Sequence, residues 1–145
     1  DLRMSRGLGD VYKRQEEDEQ IRYYSGTAVY KTTFRWKSKV KEDQQVYLNL
    51  GKVCDLATVR VNGIDCGTIW TAPYRADITA ALKKGVNELE IEVTNTWANA
   101  LKGADEGKAP FDGIWTNAKY RRAENTLLPA GLLGPLNFDV ANKNK

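Results

Sequence analysis

An all-β fold, an antiparallel β-sandwich, is what this sequence predicts, and three observations carry the prediction. Apolar and polar residues alternate with a period of two in four separate stretches, 27–36, 46–50, 57–61 and 87–95. Asn62-Gly63 stands between two alternating runs, and a type I′ hairpin turn needs positive φ at both central residues. From 46 to 93 the chain reads strand, strand, tight turn, strand, proline corner, capped turn, strand, which is the succession of a sandwich. With 145 residues there is enough chain for one cored domain and not for two.

The first 15 residues have no periodicity of either kind, and residues 1–20 are expected to be unstructured. The segment Asp10-Val11-Tyr12-Lys13-Arg14-Gln15 resembles the read-through of a transposon-end sequencing adapter, so residues 1–15 are expected to be a scar outside the fold. The acidic stretch 16–20 reads as a linker, and the domain is expected to span 21–140.

In 27–36, Ala28, Tyr30, Thr32, Phe34 and Trp36 share one face, and the aromatic and β-branched content suits a strand. Residues 37–44 form a charged loop. Val46, Leu48 and Leu50 give the next strand a buried face, which Gly51-Lys52 breaks. Ala57, Val59 and Val61 lead into the Asn62-Gly63 turn, and Ile64 and Cys66 are expected to continue the inner face on the return.

Pro73 marks a corner, because proline forces the preceding residue extended. Asp77 is placed to cap a helical turn over 78–83, which Lys84-Gly85 ends. Leu89, Ile91 and Val93 point inward from the next strand while Glu88, Glu90 and Glu92 form a solvated face. Residues 96–123 read as irregular, with Trp97, Phe111, Trp115 and Tyr120 among small and polar residues; a loop of that length in a compact domain is usually functional or mobile. Residues 127–135 are a turn-rich apolar approach to a last strand, 136–140, and 141–145 is a tail.

Composition narrows the function. The chain has no histidine, which excludes, within it, a Ser-His-Asp or Cys-His site, a histidine metal ligand and a histidine pH switch. A net charge of +3 with basic and acidic residues interleaved gives no footprint for nucleic acid. No apolar run approaches the ~18–20 residues of a membrane helix. Pairing across the Asn62-Gly63 turn sets Cys66 against Val59 and leaves Cys54 roughly 16 Å away at ~3.3 Å per residue. A disulfide needs Cα atoms within ~7 Å, so both thiols are expected to be free.

Five segments in order carry a resemblance: Tyr24-Ser25-Gly26-Thr27-Ala28-Val29-Tyr30, Leu48-Asn49-Leu50-Gly51, Ala57-Thr58-Val59-Arg60-Val61-Asn62-Gly63, Pro73-Tyr74-Arg75-Ala76-Asp77-Ile78-Thr79 and Gly85-Val86-Asn87-Glu88-Leu89-Glu90-Ile91-Glu92-Val93. Together they resemble the sugar-binding, galactose-binding-like jelly-roll domain of family 2-type glycoside hydrolases. Thr94-Asn95-Thr96-Trp97-Ala98-Asn99 and Leu128-Pro129-Ala130-Gly131-Leu132-Leu133-Gly134-Pro135 are similar to the C-terminal end of large bacterial α-L-rhamnosidases. Members of that group usually carry arginine after the Trp-x-Asn unit; Ala100 stands here, so any contact made by that arginine is absent. The resemblance covers about residues 21–140.

The resemblance implies a fragment of a bacterial, periplasmic or secreted hydrolase whose catalytic carboxylates lie in a separate barrel. No catalytic residue is then expected in this chain. The implied partner is the catalytic domain of the same parent, with oligosaccharide as a second partner; no cofactor is expected, and a structural calcium would leave no readable signature.

Two carboxylates that cleave a glycoside must lie ~5–9.5 Å apart across the bond, and Asp105, Glu106 and Asp112 are the loop carboxylates that could be so placed. The aromatic residues make the better site. A tryptophan ring covers the apolar C–H face of a sugar while polar side chains bind its hydroxyl rim. Trp97, Asn99, Trp115 and Tyr120 fit that recipe as substrate-binding residues, and equally fit plugging the end of the sandwich or packing on the catalytic domain. Trp70, Tyr74 and Arg75 form a second cluster at the corner. Two functions stay open: an accessory module that packs on or shapes the entrance of the catalytic barrel, and an autonomous carbohydrate-binding module.

Overall fold

The computed structural model describes residues 19–108, 112–117 and 127–143. Among the described residues nine strands form: β1 (Thr27–Trp36), β2 (Gln44–Asn49), β3 (Lys52–Cys54), β4 (Leu56–Val61), β5 (Ile64–Ile69), β6 (Arg75–Asp77), β7 (Gly85–Thr94), β8 (Gly131–Gly134) and β9 (Asn137–Asn142). Two helices accompany them, α1 (Glu19–Arg22) and α2 (Ala98–Asp105). One sheet has the order β1-β7-β4-β5, and opposite it lie β6-β2-β9 and β3-β8, with every named strand pair antiparallel. The expected all-β sandwich is therefore the fold.

The alternating residues fill its core. Leu89, Ile91 and Val93 from β7 and Val59 and Val61 from β4 meet Val46, Leu48 and Leu50 from the opposite layer, all buried, while Glu88, Glu90 and Glu92 stay on the outer face. Phe34 and Trp36 close one flank against Phe138, with ring centroids 4.8 and 5.6 Å apart. The β2–β9 and β3–β8 ladders are two halves of one bent ribbon: Asn49 pairs with Asn137 and Lys52 with Gly134. The bend falls at Gly51, whose φ is +66° and whose Cα side faces the Gly134 carbonyl.

The Asn62-Gly63 turn forms as expected, with φ of +53° and +79° and Val61 opposite Ile64. The return strand departs from expectation. The register shifts between Thr58 and Arg60, so that Ala57 pairs with Ile69. Ile69 enters the core, Cys66 packs against it, and Ile64, on the edge strand, stays half exposed instead of joining the inner face. Both thiols are free.

Five elements were not legible. Residues 19–22 form α1, although 1–20 was expected to be unstructured; 52–54 form β3, where the strand was expected to break, and pair with β8 at 131–134; 75–77 form the short β6 on β2; and β9 runs to Asn142, into the expected 141–145 tail. The largest difference is α2, in a stretch expected to be irregular. Its buried face is Asn99, Ala100 and Gly103, so the helical spacing is present but carries no bulky apolar residue to announce it.

Asn87 ties the hairpin to the 78–85 turn. It is fully buried; its Nδ2 donates to the carbonyls of Lys83 (2.8 Å) and Gly85 (3.1 Å), and its Oδ1 accepts from Lys83 N (2.9 Å) and Asn62 Nδ2 (2.8 Å). Asp77 caps that turn through Thr79 N at 3.0 Å.

Candidate functional site

Antiparallel pairing brings the start of β1, the start of β4 and the end of β7 to one end of the sandwich: Thr27 and Leu56 both face Thr94. The segment after β7 is held there by side chains. Asn95 accepts from Gly26 N (2.8 Å) and donates to the Tyr24 carbonyl (2.9 Å). The Ser25 hydroxyl donates to the Thr96 carbonyl (2.7 Å), and Thr96 N donates to Asp55 Oδ2 (2.9 Å). These bonds fix the point from which Trp97 leaves the sheet and α2 begins.

Helix α2 is anchored on two sides. The buried Tyr23 ring lies against Gly103, where any side chain would collide with it, and its hydroxyl donates to Glu106 Oε2 (2.7 Å). Asn99 is 4% exposed; its Nδ2 donates to the Leu128 carbonyl and its Oδ1 accepts from Leu128 N, both at 2.8 Å. Asn99 thus staples α2 to the segment entering β8.

Between these anchors lies a cleft of about 290 Å³ lined by Ser25, Trp97, Ala100, Asp112, Gly113, Ile114 and Trp115. Trp97 is 70% and Trp115 79% exposed, whereas Trp36 is packed against Phe138. Two of the residues expected to contact sugar, Trp97 and Trp115, therefore meet on one cleft. Asn99 supports its wall from behind, with its amide directed at Leu128. Tyr120 and Phe111 lie outside the described residues. Ser25 and Ile114 were missed by sequence reasoning. Ser25 is about 70 positions from Trp97 and carries no local signal.

The second cluster, at the corner, is dispersed. Tyr74 packs on the core, Arg75 stacks over the Tyr47 ring (4.6 Å to its centroid) and Trp70 stands 69% exposed. A larger groove of about 700 Å³ crosses the outer face of β1, β7 and β4. Its charges neutralise one another: Lys31 and Arg60 both pair with Glu90 at 2.9 Å, and Arg60 reaches Glu92 at 3.0 Å. Among the described residues no aromatic ring lines it.

Among the loop carboxylates, Asp112 stands on the cleft and is exposed, and Asp105 is exposed at the end of α2. Glu106 is engaged by Tyr23 and lies 3.7 Å from Lys102. The Tyr23 hydrogen bond holds its carboxyl below the usual range, the reverse of what a general acid requires. Among the described residues no group of three or more His, Cys, Asp or Glu is placed to hold a metal ion, and no helix is long and apolar enough to cross a membrane.

Comparison with known proteins gives one answer at the level of family. Residues 1–126 match the family model described as glycosyl hydrolase 2 galactose-binding domain-like. A putative beta-glucuronidase of Formosa agariphila is 39% identical over 86% of this chain and 13% of its own length. The rhamnosidase structure from Novosphingobium sp. PP1Y is 44% identical, with a TM-score of 0.72, over 85% of this chain and 12% of that one. The FMN-binding beta-glucuronidase of Facaelibacterium prausnitzii L2-6 is 26% identical, with a TM-score of 0.55, over 82% of this chain and 16% of that one. The chain thus spans 12–16% of the length of these three relatives.

Proposed function

This chain belongs to the glycosyl hydrolase 2 galactose-binding domain-like family, and we propose that it is the non-catalytic accessory module of an α-L-rhamnosidase-type hydrolase, presenting sugar at the entrance of a catalytic barrel. The observation that carries the reading is the pairing of Trp97 and Trp115 on one cleft. Two exposed rings offer apolar faces to a pyranose, and Ser25 and Asp112 offer oxygens to its hydroxyl rim.

The lining also favours one sugar class. Rhamnose is a neutral 6-deoxy sugar with an apolar methyl group, which Ala100 and Ile114 suit. A glucuronate would bring a carboxylate into a cleft whose described charged lining is the anionic Asp112. Ala100 stands where arginine is usual in the resembling group, so that position supplies no cation. The relatives do not separate the two sugars, since the 44% identity to the Novosphingobium rhamnosidase stands beside 39% to the Formosa putative beta-glucuronidase; the choice rests on the lining.

Calorimetric titration of the chain with rhamnose and with glucuronate tests this. Rhamnose should give saturable heat and glucuronate none. Trp115→Ala should weaken rhamnose about tenfold, which corresponds to ~1.4 kcal/mol, the upper range for one aromatic contact. Heat from the chain by itself is the result expected of a module that presents sugar; no heat with either sugar would leave it as scaffold that works only packed on its barrel. Glucuronate binding in preference to rhamnose would sink the choice of sugar.

A further inference from the structure

Outside the cleft a further indole, Trp70, stands exposed. Ala57 pairs with Ile69, and both are buried; Leu56 precedes Ala57, Trp70 follows Ile69 just past the end of β5, and both are exposed, as pleat alternation carried one step beyond the pair requires. Leu56 in turn faces Thr94, and Thr94 faces Thr27, whose hydroxyl bonds that of Thr94 at 2.8 Å. A row therefore crosses the sheet from Trp70 through Leu56 and Thr94 to Thr27, and Ser25, two residues before Thr27, already lines the cleft. Three strand-to-strand steps of about 4.8 Å make it roughly 14 Å long, the span of a short oligosaccharide.

The row has the chemistry of a neutral glycan track. It carries an exposed indole, an aliphatic contact and two hydroxyls, and no charge. The next row inward adds a second hydroxyl pair, Thr58 and Thr68, 3.1 Å apart. Two carboxylates stand near the row, and both are engaged: Asp55, next to Leu56, accepts from Thr96 N, and Glu92 accepts from Arg60. The charged groups Lys31, Arg60, Glu88 and Glu90 collect farther along the sheet.

We infer that Trp70 and the Leu56–Thr94–Thr27 row form a distal subsite, on which a neutral oligosaccharide lies with one unit in the Trp97–Trp115 cleft. The inference rests on the cleft reading, and it predicts affinity that grows with glycan length.

The test titrates the full chain with rhamnose and with rhamno-oligosaccharides of two to five units. The wild-type affinity should rise about tenfold between monosaccharide and tetrasaccharide. Trp70→Ala should abolish that rise while leaving the monosaccharide affinity unchanged, and Trp115→Ala should weaken every member of the series. With 5-fluorotryptophan in the chain, the Trp70 resonance should move with the tetrasaccharide and not with the monosaccharide, a readout that needs no variant. If the monosaccharide binds but affinity is flat with length, or Trp70→Ala leaves the rise intact, the distal subsite is wrong and the cleft stands. If no sugar of any length binds, cleft and subsite fall together. A Trp70 resonance that stays still while the tetrasaccharide binds would likewise overturn the distal subsite.

Discussion

Gly51→Ala is expected to cost this domain more than 3 kcal/mol, and Gly63→Ala only about 1–2, although both glycines have positive φ. The left-handed backbone alone penalises any Cβ by about 1–2 kcal/mol, and that is the whole effect at Gly63, where a Cβ would meet nothing within 4 Å. At Gly51 a Cβ would lie 2.2 Å from the Gly134 carbonyl oxygen, 2.3 Å from its carbon and 2.8 Å from Pro135 N. All three are backbone atoms, so no rotamer change relieves the overlap. The bent ribbon of β2–β3 and β8–β9 has to part, and Leu50 and Leu132, both buried beside the bend, lose their packing with it. Urea denaturation of the two variants checks this. Equal midpoints would mean that the two strands do not approach at the bend.

Asn87→Ala is expected to cost about 3 kcal/mol, a fall in Tm of roughly 10 °C for a domain of this size. The side chain makes four hydrogen bonds in a fully buried position, and three of the partners are backbone groups of Lys83 and Gly85. Alanine removes the amide but leaves those groups facing the vacated space, where each unmet group costs about 1–3 kcal/mol unless water enters. Asn62 loses one bond as well but keeps its own to the Ala81 carbonyl and to Glu88 N. Leucine at the same site should do no better than alanine, because it fills space without meeting the polar groups. A thermal melt in which Asn87→Leu matches the parent would show that burial of apolar volume, and not the clasp, holds the 78–85 turn.

The sequence made the β-sheets legible wherever one face is buried and the other wet, as in β1, β4 and β7. It failed where that contrast disappears. The three-residue β6 is too short to show a period, and β8 is half glycine. In α2 the buried face consists of small and polar residues chosen for close approach to Tyr23 and Leu128, so helix spacing was invisible to a search for apolar side chains. The irregularity on β5 was hidden for another reason: register depends on the partner strand, and one extra residue past Asp65 turned Ile69 into the core, while Ile64 keeps its expected partner Val61 but lies half exposed on the edge strand.

The site was half legible. Trp97 and Trp115 stand out as aromatic residues among small polar ones, and their chemistry suggests a sugar face without any structure. Their meeting on one cleft is a property of the chain path, as is the arrival of Ser25 from the far end of the sequence. Asn99 looked like a rim ligand because asparagine suits sugar hydroxyls; both ends of its amide instead hold Leu128. Trp70 looked like a corner residue, and its 69% exposure, just past the Ala57–Ile69 pair, is a property of the fold that its neighbours in sequence do not announce.

The most direct test of a sugar-presenting module without chemistry of its own is to titrate the 145-residue chain with an aryl α-L-rhamnoside, following tryptophan emission and aglycone release in the same sample. A saturable emission change with no release above a blank is the predicted result. Release that is lost in Asp112→Asn would place chemistry in this cleft, and a flat emission trace would remove the cleft as a sugar site.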